Sequence, residues 1–312
     1  MSRGTRPWPW PLWLLLLLLT TACPGLTSAA QLELKVEPVS SLKEAFPNSK
    51  VRSTQALARG TAGFDLYRVS FKSGFDRVVG VLGIPKGAKG KVPVVVMVHG
   101  LGRDKSDMFA LYGKLAAGEG LAILSLDLPN HGERAAGGGR SAASLLLPMT
   151  QGVKDVRRAA DAIEELAGRF PLDPERIGYL GYSLGSFVGL KAVSKDQRFR
   201  VVVFNVLGDG SSQLGGGRGG LAGLLETARS YKPRPTLMLN GKHDQIVSPE
   251  GSRRLYDALP EPKSIVWYDS GHLLPPEALE RAVEFLASEL KSVGPLKEEQ
   301  KERGLGLPPR RR

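Results

Sequence analysis

Cysteine is almost missing: Cys23 is the single one in 312 residues. No intrachain disulfide can form, so a packed core must carry stability, and a chain of this length can bury one. Histidine is nearly as scarce. The four, His99, His131, His243 and His272, show no spacing that reads as a metal set. There is no apolar run long enough to span a bilayer either: Leu12–Leu19 falls well short of the roughly 20 residues such a helix needs. No internal repeat is visible. The formal charge is +12, yet no Lys/Arg stripe interleaves with aromatics, which are only 7% of the chain, so nucleic acid is not an expected partner.

What is present begins with Arg3 and Arg6, then the apolar run, then small residues, an order that reads as an export signal over residues 1–30. Thr20-Thr21-Ala22 before Cys23 resembles the lipobox of bacterial lipoproteins, in which that cysteine becomes the acylated amino terminus and attaches the protein to a membrane. Thr20 stands where leucine is usual. Ordinary cleavage after Ala22 or Ala30 is the other reading. The expected location is therefore exported, either the bacterial cell envelope as a lipoprotein or a secreted or periplasmic state. Residues 31–60 are polar and aperiodic and read as a spacer. Residues 292–312, ending in Arg310-Arg311-Arg312 beyond two prolines, read as a basic solvated tail.

From Phe64 the pattern changes. FDLYRVSF and RVVGVLGIP alternate around KSGFD and read as an antiparallel hairpin. KVPVVVMVHG is a continuous β-branched run, the mark of a strand buried on both faces of a parallel sheet. Further runs follow at 121–127, 177–183, 201–206, 236–241 and 264–270. Helical patterns lie between them at 108–120, 155–170, 249–260 and 276–293. In the second of these, Val156, Ala159, Ala160, Ile163 and Leu166 form one apolar stripe. Alternating strands and helices predict one α/β domain over 61–291, a parallel sheet with helices on both faces. Two irregular stretches follow strand ends at Asp127 and Val206. The second reads as a small lid with Leu221, Leu224 and Leu225 on one helical face. The first offers Leu145, Leu146, Leu147 and Met149 as pocket candidates.

GYLGYSLGS, residues 178–186, sets Ser183 between Gly181 and Gly185. With 24 serines and 38 glycines, about 0.4 such patterns arise by chance, so the motif alone is weak. Its context is stronger. A buried strand precedes it and a helix follows, so Ser183 sits on a sharp turn at the ligand edge of the sheet, with a helix N-terminus behind it. A serine hydroxyl needs a base, and the base needs an orienting acid. His272 follows the last strand and Asp244 follows the strand at 236–241, giving the order Ser183, Asp244, His272. Asp209 and Asp269 are rival acids, and His243 is a rival base. Backbone N–H groups of Leu101 and Leu184 are the candidate oxyanion donors. His99 reads as structural, and His131 as a loop brace or solvent-edge residue.

The ordered set VHGLG, DLPNHGER, LGYSLGS, NGKHD and SGH resembles the α/β-hydrolase superfamily, and within it the dienelactone-hydrolase and prolyl-oligopeptidase-like branch. The resemblance covers about 61–291 and implies a mostly parallel, eight-stranded sheet. It also implies catalytic roles for Ser183, Asp244 and His272. Dienelactone hydrolases carry cysteine where this chain has Ser183, which turns the expectation toward ester hydrolysis. Asn130 stands where relatives commonly have glycine. The expected activity is that of an exported serine hydrolase of carboxylesterase type, acting on a small-molecule ester without a cofactor. Amide, peptide or lipid hydrolysis on the same residues, and a non-catalytic surface binding protein, are the alternatives. Oligomeric state is not readable.

Overall fold

A computed structural model describes residues 32–135, 147–211 and 223–294. The leader with Cys23, the tail from 295 onward, and Leu145, Leu146 and Leu221 lie outside the described residues.

The sheet is built around β4 (Val92–Val98), whose seven residues are all buried. Side chains alternate across a strand, so this run serves two cores at once. Val94, Val96 and Val98 enter one core, and Val95 and Met97 enter the other. The neighbours of β4 are β5 (Ala122–Leu126) and β6 (Leu172–Tyr182), both parallel to it. Beyond β6 the parallel array continues through β7 (Phe199–Asn205), β8 (Thr236–Gly241) and β9 (Lys263–Tyr268). On the other side of β5 lies the hairpin of β2 (Phe64–Ser73) and β3 (Asp76–Pro85), antiparallel throughout.

The sheet has nine strands rather than eight, because β1 (Lys35–Pro38) pairs antiparallel with β2 at the edge. The expected spacer also folds into α1 (Leu42–Ala45) and α2 (Thr54–Thr61), capped by Ser41 and Ser53. These elements escape periodicity analysis for a physical reason. The edge strand is four residues long and largely exposed, so backbone pairing defines it rather than an alternating apolar face. The two helices bury Ala45 and Leu57, with neighbouring Phe46, in the core, and Leu42 packs against it.

One face of the sheet is covered by α1, α2, the helical stretch comprising α3 (Lys105–Met108), a π-turn (Phe109–Gly113) and α4 (Lys114–Gly118), and the last helix, Pro276–Ser292. The other face is covered by α5 (Val153–Leu166), α6 (Leu184–Val193), α7 (Leu224–Arg229) and α8 (Pro249–Ala258). The last helix is thus α9. The apolar stripe of α5 is fully buried at Val156, Ala159, Ala160, Ile163 and Leu166.

A buried ionic cluster holds the loop after β5. The Lys105 ammonium lies 2.7 Å from both Asp127 and Glu133, and Arg68 pairs with Glu133 at 2.6 Å. Arg134 donates to the Asp127 carbonyl and pairs with Asp155, each at 2.8 Å, and it also pairs with Asp76. Lys105 and Asp127 are almost wholly shielded from water. Removing one partner of such a pair strands the other charge, which typically costs about 3–5 kcal/mol. Lys105→Met is therefore expected to lower unfolding free energy by about 3 kcal/mol in urea titration. An unchanged midpoint would show that the cluster is solvated.

Candidate active site

Ser183 occupies the single residue between β6 and α6. Its backbone is at φ 50°, ψ −114°, a strained region for a residue with a side chain. Hydrogen bonds on both sides hold it there. Its N–H donates to the Asn205 carbonyl at 2.9 Å, and its carbonyl accepts from Ser186 N–H at 2.8 Å. The Ser186 hydroxyl also donates to Asn205 O, and the Asn205 amide donates to Gly181 O at 3.0 Å. The glycines are required by contact distance. A Cβ on Gly181 would lie 2.6 Å from the Gly185 carbonyl carbon, and one on Gly185 would lie 2.1 Å from Val98 O.

The loops after β8 and β9 bring the other two groups to this hydroxyl. His272 Nε2 is 2.9 Å from Ser183 Oγ, and His272 Nδ1 is 2.8 Å from Asp244 Oδ2. A carboxylate at Nδ1 assigns the proton to that nitrogen and leaves Nε2 free to accept from the serine. The second oxygen of Asp244 accepts from Ile246 and Val247 N–H at 2.8 and 2.9 Å. Burial opposes the Asp244 charge, but the bonds from His272 and these two amides outweigh it and hold its carboxyl below the usual range. The arrangement can pull the Ser183 proton toward His272 and stabilise the resulting imidazolium.

The rivals lie elsewhere. His243 and Asp269 pair with each other at 2.7 Å in an exposed position. Asp209 is taken by Arg254 at 2.7 Å and by Ser211. His99 is buried, donating from Nδ1 to Gly100 O at 2.8 Å and accepting Leu128 N–H at Nε2. Burial pushes its pKa down to about 4, so the ring is neutral and structural. His131 is buried as well and braces its loop through Pro129 O at 2.9 Å. Asn130 adopts φ 63°, the left-handed conformation that asparagine tolerates in place of glycine.

Leu184 is the first residue of α6, so its N–H has no acceptor within the helix. Leu101 follows Gly100, where an added Cβ would lie 3.5 Å from Ser183 Cβ. Beside Ser183 an open cleft of about 570 Å³ is walled by Leu101, Met108, Leu111, Ile246, Leu273 and Leu274, with Arg103 and Asp107 at its side. Of the pocket candidates in the first irregular stretch, the two described ones do not line this cleft. Leu147 is exposed and Met149 is buried in the core on the opposite face of the sheet. The Pro148–Gly152 turn leads straight into α5 and carries both residues away. In the expected lid, Leu224 is buried in that same core rather than placed over Ser183.

Tyr182 escaped the sequence reading. Its hydroxyl donates to His272 O at 2.9 Å and accepts from Leu274 N–H at 3.0 Å. The only signal was its place beside the serine. Removing that hydroxyl in Tyr182→Phe should broaden the low-field Nδ1 proton resonance of His272, sharp in the wild type, with the urea midpoint little changed. A sharp signal in both proteins would remove the positioning role. His99 predicts a pH effect. Unfolded, it takes a proton near pH 6.5, and folded only near 4, so stability is full above 6.5 and falls as pH drops toward 4. The loss at pH 5 should be about 2 kcal/mol. His99→Gln should show a shallower decline in urea titrations between pH 7 and 5.

Residues 95–230 match the model of the alpha/beta hydrolase family. The match takes in Ser183 and stops before Asp244 and His272. No curated protein matches the chain. Among solved structures, a cold-adapted esterase from an Arctic intertidal metagenomic library is similar at 23% identity and TM-score 0.62, covering 73% of this chain and 94% of that one. Acetyl xylan esterase 1 from a Thermoanaerobacterium species is similar at 17% identity and TM-score 0.61, covering 84% and 89%. The Pyrococcus furiosus esterase Pf2001 is similar at 17% identity and TM-score 0.60, covering 78% and 98%. At these identities the likeness speaks for the fold, and the family match reaches the superfamily and not the dienelactone-hydrolase branch. By the order of its elements, by the similar structures and by this match over residues 95–230, the chain has the fold of an alpha/beta hydrolase domain.

Proposed function

We propose that the chain is a serine hydrolase of carboxylic esters that works through an acyl-enzyme. The observation that carries this is the hydrogen-bonded series Ser183 Oγ, His272, Asp244, opening onto the cleft. The similar structures titled esterases support the choice of ester over other acyl compounds.

Ser183 Oγ attacks the ester carbonyl carbon while its proton passes to His272 Nε2. The carbonyl π electrons move to oxygen, and that oxyanion is met by the N–H groups of Leu101 and Leu184. Collapse of the intermediate breaks the bond to the alcohol oxygen, which takes the proton from His272. Water then enters, gives a proton to His272 and attacks the acyl carbon, and the second collapse returns the proton to Ser183 as the acid departs. Asp244 keeps the Nδ1 proton in place through both halves and stabilises the imidazolium.

A short-chain fluorophosphonate is expected to add one phosphonyl group at Ser183, read by mass spectrometry of the intact protein and its peptides. Ser183→Ala should take up none. Asp244→Asn should lower kcat by roughly 10⁴-fold by presenting the wrong tautomer. Labelling that persists in Ser183→Ala, or full turnover in the same variant, would sink the reading.

A further inference from the structure

The cleft beside Ser183 is larger and less polar than a small acyl group needs. At roughly 30 Å³ per atom-sized group, an acetyl moiety would fill about a sixth of its 570 Å³. The remainder would hold water against leucine, methionine and isoleucine walls. The rim continues this character outward. Among the described residues five large apolar side chains are exposed, Phe75, Leu111, Leu147, Ile246 and Leu273, and three of them, Leu111, Ile246 and Leu273, line this cleft. Exposed apolar groups that gather at one mouth, rather than scattering singly, mark a surface built to be covered by ligand.

The charged residues of the wall narrow the ligand further. Arg103 faces Asp107 at 3.4 Å, so the one cation and the one anion at the cleft side offset each other. The other Asp107 oxygen is occupied by Asp104 N–H at 3.1 Å in the cap of α3. Tyr182 and His99 are committed to backbone partners, and His99 is neutral. Sugar hydroxyls laid over Leu111, Ile246 and Leu273 would find no partners in those three side chains, and an unpaired buried hydroxyl is costly. The ligand that fits is apolar and uncharged.

Resting on the assignment of Ser183 as nucleophile, we propose that the site selects neutral esters bearing an apolar chain of about six to ten carbons, laid along Met108, Leu111, Ile246, Leu273 and Leu274. Acetylated polysaccharide, the substrate in the name of one similar structure, is not what this cleft is shaped to take.

Two ester series test this on the full-length wild-type protein. One is p-nitrophenyl esters from acetate to dodecanoate, and the other is acetates of methyl to decyl alcohols. In at least one series kcat/KM should rise about fourfold per added methylene, to a plateau near eight carbons. Leu111→Glu should lower the octanoate-to-acetate ratio, or the octyl-to-methyl ratio, by at least tenfold. Short-chain fluorophosphonate labelling of Ser183 is run alongside. Labelling with the highest kcat/KM at the shortest ester of both series would overturn the substrate class and leave the hydrolase reading standing. Failure of labelling would overturn the hydrolase reading itself.

Discussion

A serine at φ 50° and ψ −114° does not hold that conformation by itself. β6 and α6 hold it jointly: the strand end is anchored through Asn205 on the next strand, and the helix start through Ser186. The closeness of that joint explains much around it. Gly185 must lack a side chain because the Val98 carbonyl of β4 runs directly beneath it, and this brings the end of β4, and with it Gly100 and Leu101, up to the serine. The positions of Leu101, Leu184 and Ser183 are therefore set by the same contact. The strain is carried by the joint of β6 and α6.

The remaining groups come from loops at the same edge of the sheet, after β8 and β9. Each carries its own restraint. Asp244 is fixed by two backbone amides and His272 by Asp244 and by the Tyr182 hydroxyl. Behind them, the Lys105–Asp127–Glu133 cluster binds the start of α3 to the loop after β5, which stiffens the wall bearing Met108. A buried ionic cluster is weak support for stability taken alone. Here it sets the position of a loop that has few apolar contacts of its own.

Legibility in the sequence followed burial. β4 and the α5 stripe announced themselves because a strand buried on both faces, and a helix buried on one, leave unmistakable periods. Ser183 and Asp244 were readable because each follows a strand with a buried end, and His272 because it follows the half-buried β9. β1, α1 and α2 were not, since short elements at an edge owe their form to backbone pairing and to a few core contacts. The pocket wall was misassigned to Leu147 and Met149 for a related reason. Apolar residues after a strand do not disclose which face of the sheet they will reach, and the cleft lies on the face of α3 and α9. Tyr182 was invisible because its work is done by a hydroxyl bonded to a backbone 90 residues away.

That hydroxyl has a mechanical consequence. Tyr182 grips the segment carrying His272 at both His272 O and Leu274 N–H. A displacement of the strand end is transmitted to the histidine loop, so the two move as one body rather than about separate hinges. Thermal motion of the outer loop is then filtered before it reaches the Ser183–His272 distance.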